Sequence, residues 1–386
     1  MADWSSLPAD LVNRVGDCFL ASNDLDYYME FRAVCHNWRS ATADPRTSPE
    51  EPCFRPRWWV MLDELYSDDD THLFVNATTG RFLHKSLPLL RRYYLVTTTT
   101  GGFIILSDRK PPHAAQVLNP FTGSLTRFLA PVPRQMHLAA AVVGSADSFT
   151  LVMASDSARE VYWADPESDA FFFEVCNRPS GMLPYIAGKY AGCKSGSVVT
   201  DTDEANKIID NRRSAKLEYR VCAADSASGE VLVVSIEKGS HRIGISKAKM
   251  DSPEGVLEPV TSIGSRALFV GDRCLLVNSN KLPSIDANCI YYQVDCPDGW
   301  FCDDVYVYDI NHGRAERIAE SISTNTVMRE NAHPLALLDL LVSYTMNIPE
   351  YELPWELMLE RIPETLIDAA YLEDFDYDYD DVQFGD

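Results

Sequence analysis

Five times along this chain a short apolar run ends in Asn or Asp, passes through turn residues and enters a second run. The copies are Phe74-Val75-Asn76 to Gly80-Arg81-Phe82, Val117-Leu118-Asn119 to Gly123, Tyr162-Trp163-Ala164-Asp165-Pro166, Ala224-Asp225 to Gly229-Glu230-Val231, and Val307-Tyr308-Asp309 to Gly313. The Asn or Asp side chain can bond its own backbone across the turn, and a Gly supplies the positive φ that closes a hairpin. Intervals of 43 residues from Asn76 to Asn119, 46 to Asp165 and 60 to Asp225 sit near the roughly 40–50 residues of a propeller blade. Asp251 and Asp309, 58 apart, continue the series more loosely. Between Arg57 and about Ile318 the intervening runs are β-branched or aromatic, among them Tyr93–Val96, Phe103–Leu106, Leu151–Met153, Val231–Val234 and Leu275–Val277, with no long helical period. Radial repetition lets so many strands avoid long free edges, which favours a propeller over a pair of β-sandwiches. At about 45 residues per blade, residues 57–330 predict a β-propeller of roughly six blades.

The first 45 residues follow a different period. Leu7, Leu11, Val15 and Phe19 recur every fourth residue, and Leu25, Tyr28, Phe31, Cys35 and Trp38 at three or four, each set laying an apolar stripe on a helix. Pro8 suits a helix start, and Ser22 or Asn23 is placed to cap the second helix. A unit of about 40 residues has little interior, so its stripes call for completion by another chain. Leu7-Pro8, the Leu11 and Val15 spacing, and Phe31-Arg32-x-Val34-Cys35-x-x-Trp38-Arg39 resemble, in order, an F-box, the module that docks a substrate receptor onto a Skp-type adaptor and through it a cullin. The stretch Asp26–Glu30 is bulkier and more acidic than usual for that module. The resemblance places adaptor contact on Leu7, Pro8, Leu11, Val15 and Trp38, although Trp38 could equally brace the helices from within.

Farther along, Leu118-Asn119-Pro120-Phe121-Thr122-Gly123, Ser265-Arg266-Ala267-Leu268-Phe269-Val270-Gly271, Asn288-Cys289-Ile290-Tyr291-Tyr292 and Val307-Tyr308-Asp309 resemble the plant F-box proteins with a KIB-type, kelch-like propeller. The expected architecture is therefore mainly β with an N-terminal α unit. It comprises an F-box at 1–45, a Pro- and Ser-rich linker at 46–56, the propeller at 57–330, a helical segment at 331–372 and a tail at 373–386. Seven of the last fourteen residues are acidic, which predicts a disordered tail that solvates the chain or attracts a basic partner.

With 34 basic against 57 acidic residues, a formal charge of −23 argues against nucleic acid and anionic membrane as partners, both of which need a positive surface. No signal-like or membrane-length apolar run is present, so the cytoplasm or nucleus is the expected location. The ten cysteines form no CxxC pair or zinc pattern, and they read as free thiols. Asn76-Ala77-Thr78 matches a glycosylation sequon that an intracellular chain would not use. No phosphate loop, dinucleotide fingerprint, nucleophile elbow or HExxH helix occurs, and the eight histidines are scattered. No catalytic residue, metal or cofactor is expected.

The resemblance implies a non-catalytic receptor subunit of a ubiquitin ligase, its propeller holding a protein target. Relatives also permit a propeller that inhibits a kinase or scaffolds without a ligase; a hydrolase or sugar-binding propeller is the remaining alternative. The candidate target contact is Trp300 and Phe301, two aromatics on an acid-flanked loop at Cys296–Asp304, unless they fold back on a neighbouring blade.

Overall fold

The alternating apolar runs become strands in the computed structural model of the protein. It describes residues 4–47, 51–56, 58–62, 70–99, 102–135, 138–143, 150–155, 160–175, 190–194, 197–200, 217–225, 230–237, 242–249, 256–271, 274–294, 304–320, 337–346 and 353–354. A single 3-10 turn (Trp4–Ser6) leads into helices α1 (Ala9–Ala21), α2 (Leu25–Ala33) and α3 (His36–Ala41). Sheets follow in chain order, all antiparallel except the last. The first holds β1 (Trp59–Leu62), β2 (Thr71–Asn76) and β3 (Phe82–Ser86), and the second β4 (Tyr93–Thr98), β5 (Ile104–Asp108), β6 (Ala114–Leu118) and β7 (Leu125–Pro131). The third holds β8 (Ala139–Val143), β9 (Thr150–Ser155), β10 (Glu160–Ala164) and β11 (Phe172–Val175). A two-stranded ladder of β12 (Tyr190–Lys194) and β13 (Ser197–Thr200) comes next.

The fourth full sheet comprises β14 (Leu217–Asp225), β15 (Glu230–Glu237), β16 (Ile243–Lys249) and β17 (Val256–Pro259). The fifth comprises β18 (Arg266–Val270), β19 (Cys274–Asn278), β20 (Cys289–Val294), β21 (Asp304–Asp309) and β22 (Arg314–Glu320), ordered β19-β18-β20-β21-β22. Within it β18 runs parallel to β20, with Leu268 opposite Ile290.

The blade count is thus five among the described residues, not the roughly six expected. The hairpins used for spacing are not equivalent. Asn76, Asn119, Asp165 and Asp309 turn between the last two strands of their sheets, whereas Asp225 turns between the first two of its own. Within the long interval before Asp225, the described residues between β11 and β14 hold only the β12–β13 ladder.

Strand alternation shows how the sheets pack. In β1, Trp59 and Met61 face one way into a core shared with Ile104, Leu106 and Leu118 of the second blade. Val60 and Leu62 face the other way, into a core shared with Phe269, Val277 and Tyr291 of the fifth. All four residues are buried because both faces of the sheet are covered, so β1 reads as a continuous apolar run. Similar cores join the second blade to the third through Val117, Phe128 and Met153, and the fourth to the fifth through Leu232, Ile245 and Tyr292.

The C-terminal segment contributes helix α4 (Leu337–Met346), which packs on β1, β18 and β20 and puts Leu341, Val342 and Tyr344 into the core between the first and fifth blades. Leu353 enters the core between the second and third. The acidic tail at 373–386 lies outside the described residues.

Two described residues of the 46–56 segment, Arg46 and Phe54, contact the propeller. Phe54 is fully buried against Tyr28, ring centroids 5.9 Å apart, and its carbonyl accepts from Asn119 Nδ2 at 2.9 Å. Arg46 Nε reaches the Thr122 carbonyl at 3.3 Å.

Candidate functional site: the helical face and its seat

Helix α1 starts at Pro8, which takes the N-cap position, so its missing N–H costs nothing and its carbonyl accepts from Leu11 and Val12. The second helix is capped by neither Ser22 nor Asn23. Asn23 lies in the left-handed region at φ 56°, and the cap is Asp24, whose Oδ1 accepts from the Tyr27 N–H at 3.1 Å. Cys35 Sγ plays that role for α3, accepting from the Trp38 N–H at 3.5 Å.

The two predicted stripes behave differently. Leu25, Tyr28 and Phe31 turn inward. On α1 the inward positions are Val12 and Gly16, where a Cβ on the glycine would come 3.1 Å from the Tyr28 ring. Leu11 and Val15, one turn apart on a different side, stay 40% and 39% exposed, beside exposed Pro8 and half-buried Leu7. Trp4, 67% exposed, and Val34, 63% exposed, add apolar surface that periodicity did not single out.

Trp38 is half-buried. Its ring lies 4.5 Å from that of Phe31, and its Nε1 donates to the Trp4 carbonyl at 3.1 Å while Asn37 Nδ2 donates to that of Ser5 at 3.0 Å. This residue braces the unit, tying the Trp4–Ser6 turn to α3. Arg32 fixes the far end: buried, it donates to Thr42 Oγ1 at 3.0 Å and pairs with Asp44 at 3.0 Å. The helices therefore hold one another while the Leu11–Val15 side stays uncovered.

On another side the helical unit rests on the first blade. Arg81 Nη1 donates to Asp24 Oδ1 at 2.7 Å and Nη2 to Asp26 Oδ2 at 2.8 Å, while Lys85 Nζ reaches Asp26 Oδ1 at 3.1 Å. The guanidinium lies 3.5 Å from the centroid of the Tyr27 ring. Burial works against the Arg81 cation, but the Asp24 and Asp26 carboxylates outweigh it and hold its pKa above the ordinary arginine value. Burial also pushes the Tyr28 hydroxyl up, against the lowering effect of Arg32. Asn76, the residue of the sequon, is fully buried with its Nδ2 donating to the Asn23 carbonyl at 3.4 Å, which is incompatible with a glycan there.

Trp300 and Phe301, the candidate target contact, lie outside the described residues. No group of three or more metal-ligating side chains occurs among the described residues, and no described helix is long and apolar enough to cross a membrane.

A family model for the KIB1-4 beta-propeller matches residues 74–309, well over half of the chain. The chain belongs to that family. This KIB-type propeller is similar to two curated proteins of Arabidopsis thaliana. F-box protein At2g17036 is 35% identical over 91 residues, covering 24% of this chain and 19% of that protein. Putative F-box protein At1g65770 is 33% identical over 86 residues, 22% and 21% of the two. The matched stretch spans about a fifth of the length of each relative. Among solved structures, the N-terminal domain of Nup159 aligns at 12% identity with a TM-score of 0.26, covering 64% of this chain and 85% of that one, a likeness too slight to carry argument.

Proposed function

We propose that this KIB-type propeller is the non-catalytic substrate receptor of a Skp–cullin–F-box ubiquitin ligase. Its helical unit docks a Skp-type adaptor, and its propeller holds a protein target. The observation that carries the reading is the uncovered apolar side of a helix whose other side is packed: Pro8, Leu11 and Val15 with Leu7 at its edge and Trp4 nearby. A helix already fixed along its packed side presents such side chains with no backbone ordering left to lose on contact, which favours them as anchors. The similarity to F-box proteins supports the same reading.

The receptor would act through effective concentration, keeping a target lysine near a charged ubiquitin carrier supplied by other subunits. Trp300 and Phe301 are the proposed target contact, and the cytoplasm or nucleus the proposed location. The test is capture of a purified Skp-type adaptor by the full chain. Wild type is expected to bind, and Leu7→Ala/Pro8→Ala to lose binding with its propeller still folded. Adaptor binding retained in the double variant, or absent in wild type, overturns the reading and favours a scaffold or inhibitor that works without a ligase.

A further inference from the structure

The turn from Asn76 to Arg81 in the first blade meets two other parts of the molecule at once. Its own geometry is closed by Asn76 Oδ1, which accepts from the Thr78 and Thr79 N–H groups at 3.0 Å each, and by the Gly80 N–H donating to the Asn76 carbonyl at 2.8 Å. Toward the fifth blade, the Ala77 carbonyl accepts from the Asn278 N–H at 2.9 Å. Gly80 packs so closely there that a Cβ would fall 2.1 Å from the Lys281 carbonyl oxygen. Toward the helices, Asn76 bonds the Asn23 carbonyl, and Arg81 forks to Asp24 and Asp26 under the Tyr27 ring.

We propose that this turn is one joint serving two interfaces: it seals the first blade to the fifth and seats the helical unit, with Arg81 as the positioning residue that fixes the helices' orientation on the ring. Three features support it. The fork engages two carboxylates two residues apart at the start of α2, which constrains rotation as well as distance. The seat also has an apolar half, since Leu25, Tyr28 and Phe54 share a core with Trp59, Phe74 and Phe121. Finally, Arg46 and Phe54, which lie between the modules in sequence, are each bound to the second blade, which gives the seat two further points of attachment. The joint stands independently of the proposed function. Only its consequence, a fixed distance from adaptor to target, rests on the receptor reading.

Spin labels on non-natural residues at exposed Asn13 of α1 and Glu167 of the third blade, in the full chain without adaptor, report the orientation as a distance distribution. Wild type is expected to give one narrow distribution. Arg81→Gln broadens it and Arg81→Lys restores part of the sharpness, while hydrogen exchange in β5 and β6 stays at the wild-type rate. Should Arg81→Gln not fold, Asp24→Asn/Asp26→Asn approaches the same joint from the helix side and is expected to broaden it equally. A broad wild-type distribution, or a narrow one in the folded variants, overturns the proposal. Because no adaptor is present, failure to bind one removes only the receptor reading.

Discussion

Adding a methyl group at Gly80 tests the seam between the first and fifth blades, because a second glycine in the same turn geometry provides the control. Gly80 and Gly123 have φ of 70° and 69°, and each donates its N–H to the Asn four residues earlier, at 2.8 and 2.9 Å. Alanine at either position adopts a left-handed conformation at a cost of about 1–2 kcal/mol. At Gly123 nothing lies within 4 Å of the new Cβ, so that strain is the whole effect. At Gly80 the Cβ meets the Lys281 carbonyl oxygen at 2.1 Å, its carbon at 2.8 Å and its Cβ at 2.9 Å. Two of these are backbone atoms that no rotamer change can move, so the turn must withdraw. Withdrawal gives up the Ala77–Asn278 bond, worth about 1 kcal/mol net, and opens packing between Val75, Ala77 and Val277 for a similar further loss. Gly80→Ala should therefore cost about 3–4 kcal/mol and Gly123→Ala about 1–2 kcal/mol. Urea unfolding of both variants measures the gap, and costs within about 0.5 kcal/mol of each other would refute the close seam.

Two other outcomes follow from the packing and the buried acids. Phe54→Ala should lower stability by about 3–5 kcal/mol in the same assay, the cost of emptying a core site; a loss below about 1 kcal/mol would return residues 46–56 to the status of a loose linker. Stability should also fall on the alkaline side. Burial, with Asp309 and Asp286 nearby, pushes the Cys289 thiol from 9.0 up to about 11, and burial raises the Tyr291 and Tyr292 hydroxyls from 10.0 to about 12. Above pH 9 the unfolded chain releases protons that the folded chain still holds, so stability is complete below pH 9 and declines as pH rises toward 11 and beyond. Cys289→Ala should flatten the decline in melting temperature between pH 9 and 11, and an equal slope in both proteins would contradict the assignment.

Much of the fold is legible in the sequence because hairpin chemistry is local. Asn119 and Asp309 make the side-chain bonds to following N–H groups that their turns predict, at 3.1 Å to Phe121 and 2.8 Å to Asn311, and Gly123 and Gly313 take the positive φ. The inward stripe of α2 is legible for the same reason. Blade number is less so, since Asp225 carries the same local signal as Asp165 while sitting in a different hairpin of its sheet.

The partners that seat the helices are not legible in the sequence. Asp24 and Asp26 look like solvated acids at a helix start, and their partners Arg81 and Lys85 are separated from them by 55 to 59 residues. The unusually acidic, aromatic opening of α2 was the available sign. It serves the contact with the propeller: Asp26 and Tyr28 are buried there, and Tyr27 stacks on Arg81.

The most direct measurement for the receptor reading is the affinity of the full chain for a purified Skp-type adaptor, compared with Leu11→Asp/Val15→Asp. Both side chains are exposed on α1, and neither belongs to the buried cores, so the variant should keep its fold. Carboxylates placed in a dry apolar contact should weaken binding by about 100-fold or more. Wild type is predicted to bind tightly and the double variant to lose binding with an unchanged melting temperature. Equal affinity of the two proteins would contradict the assignment of this helical face to an adaptor.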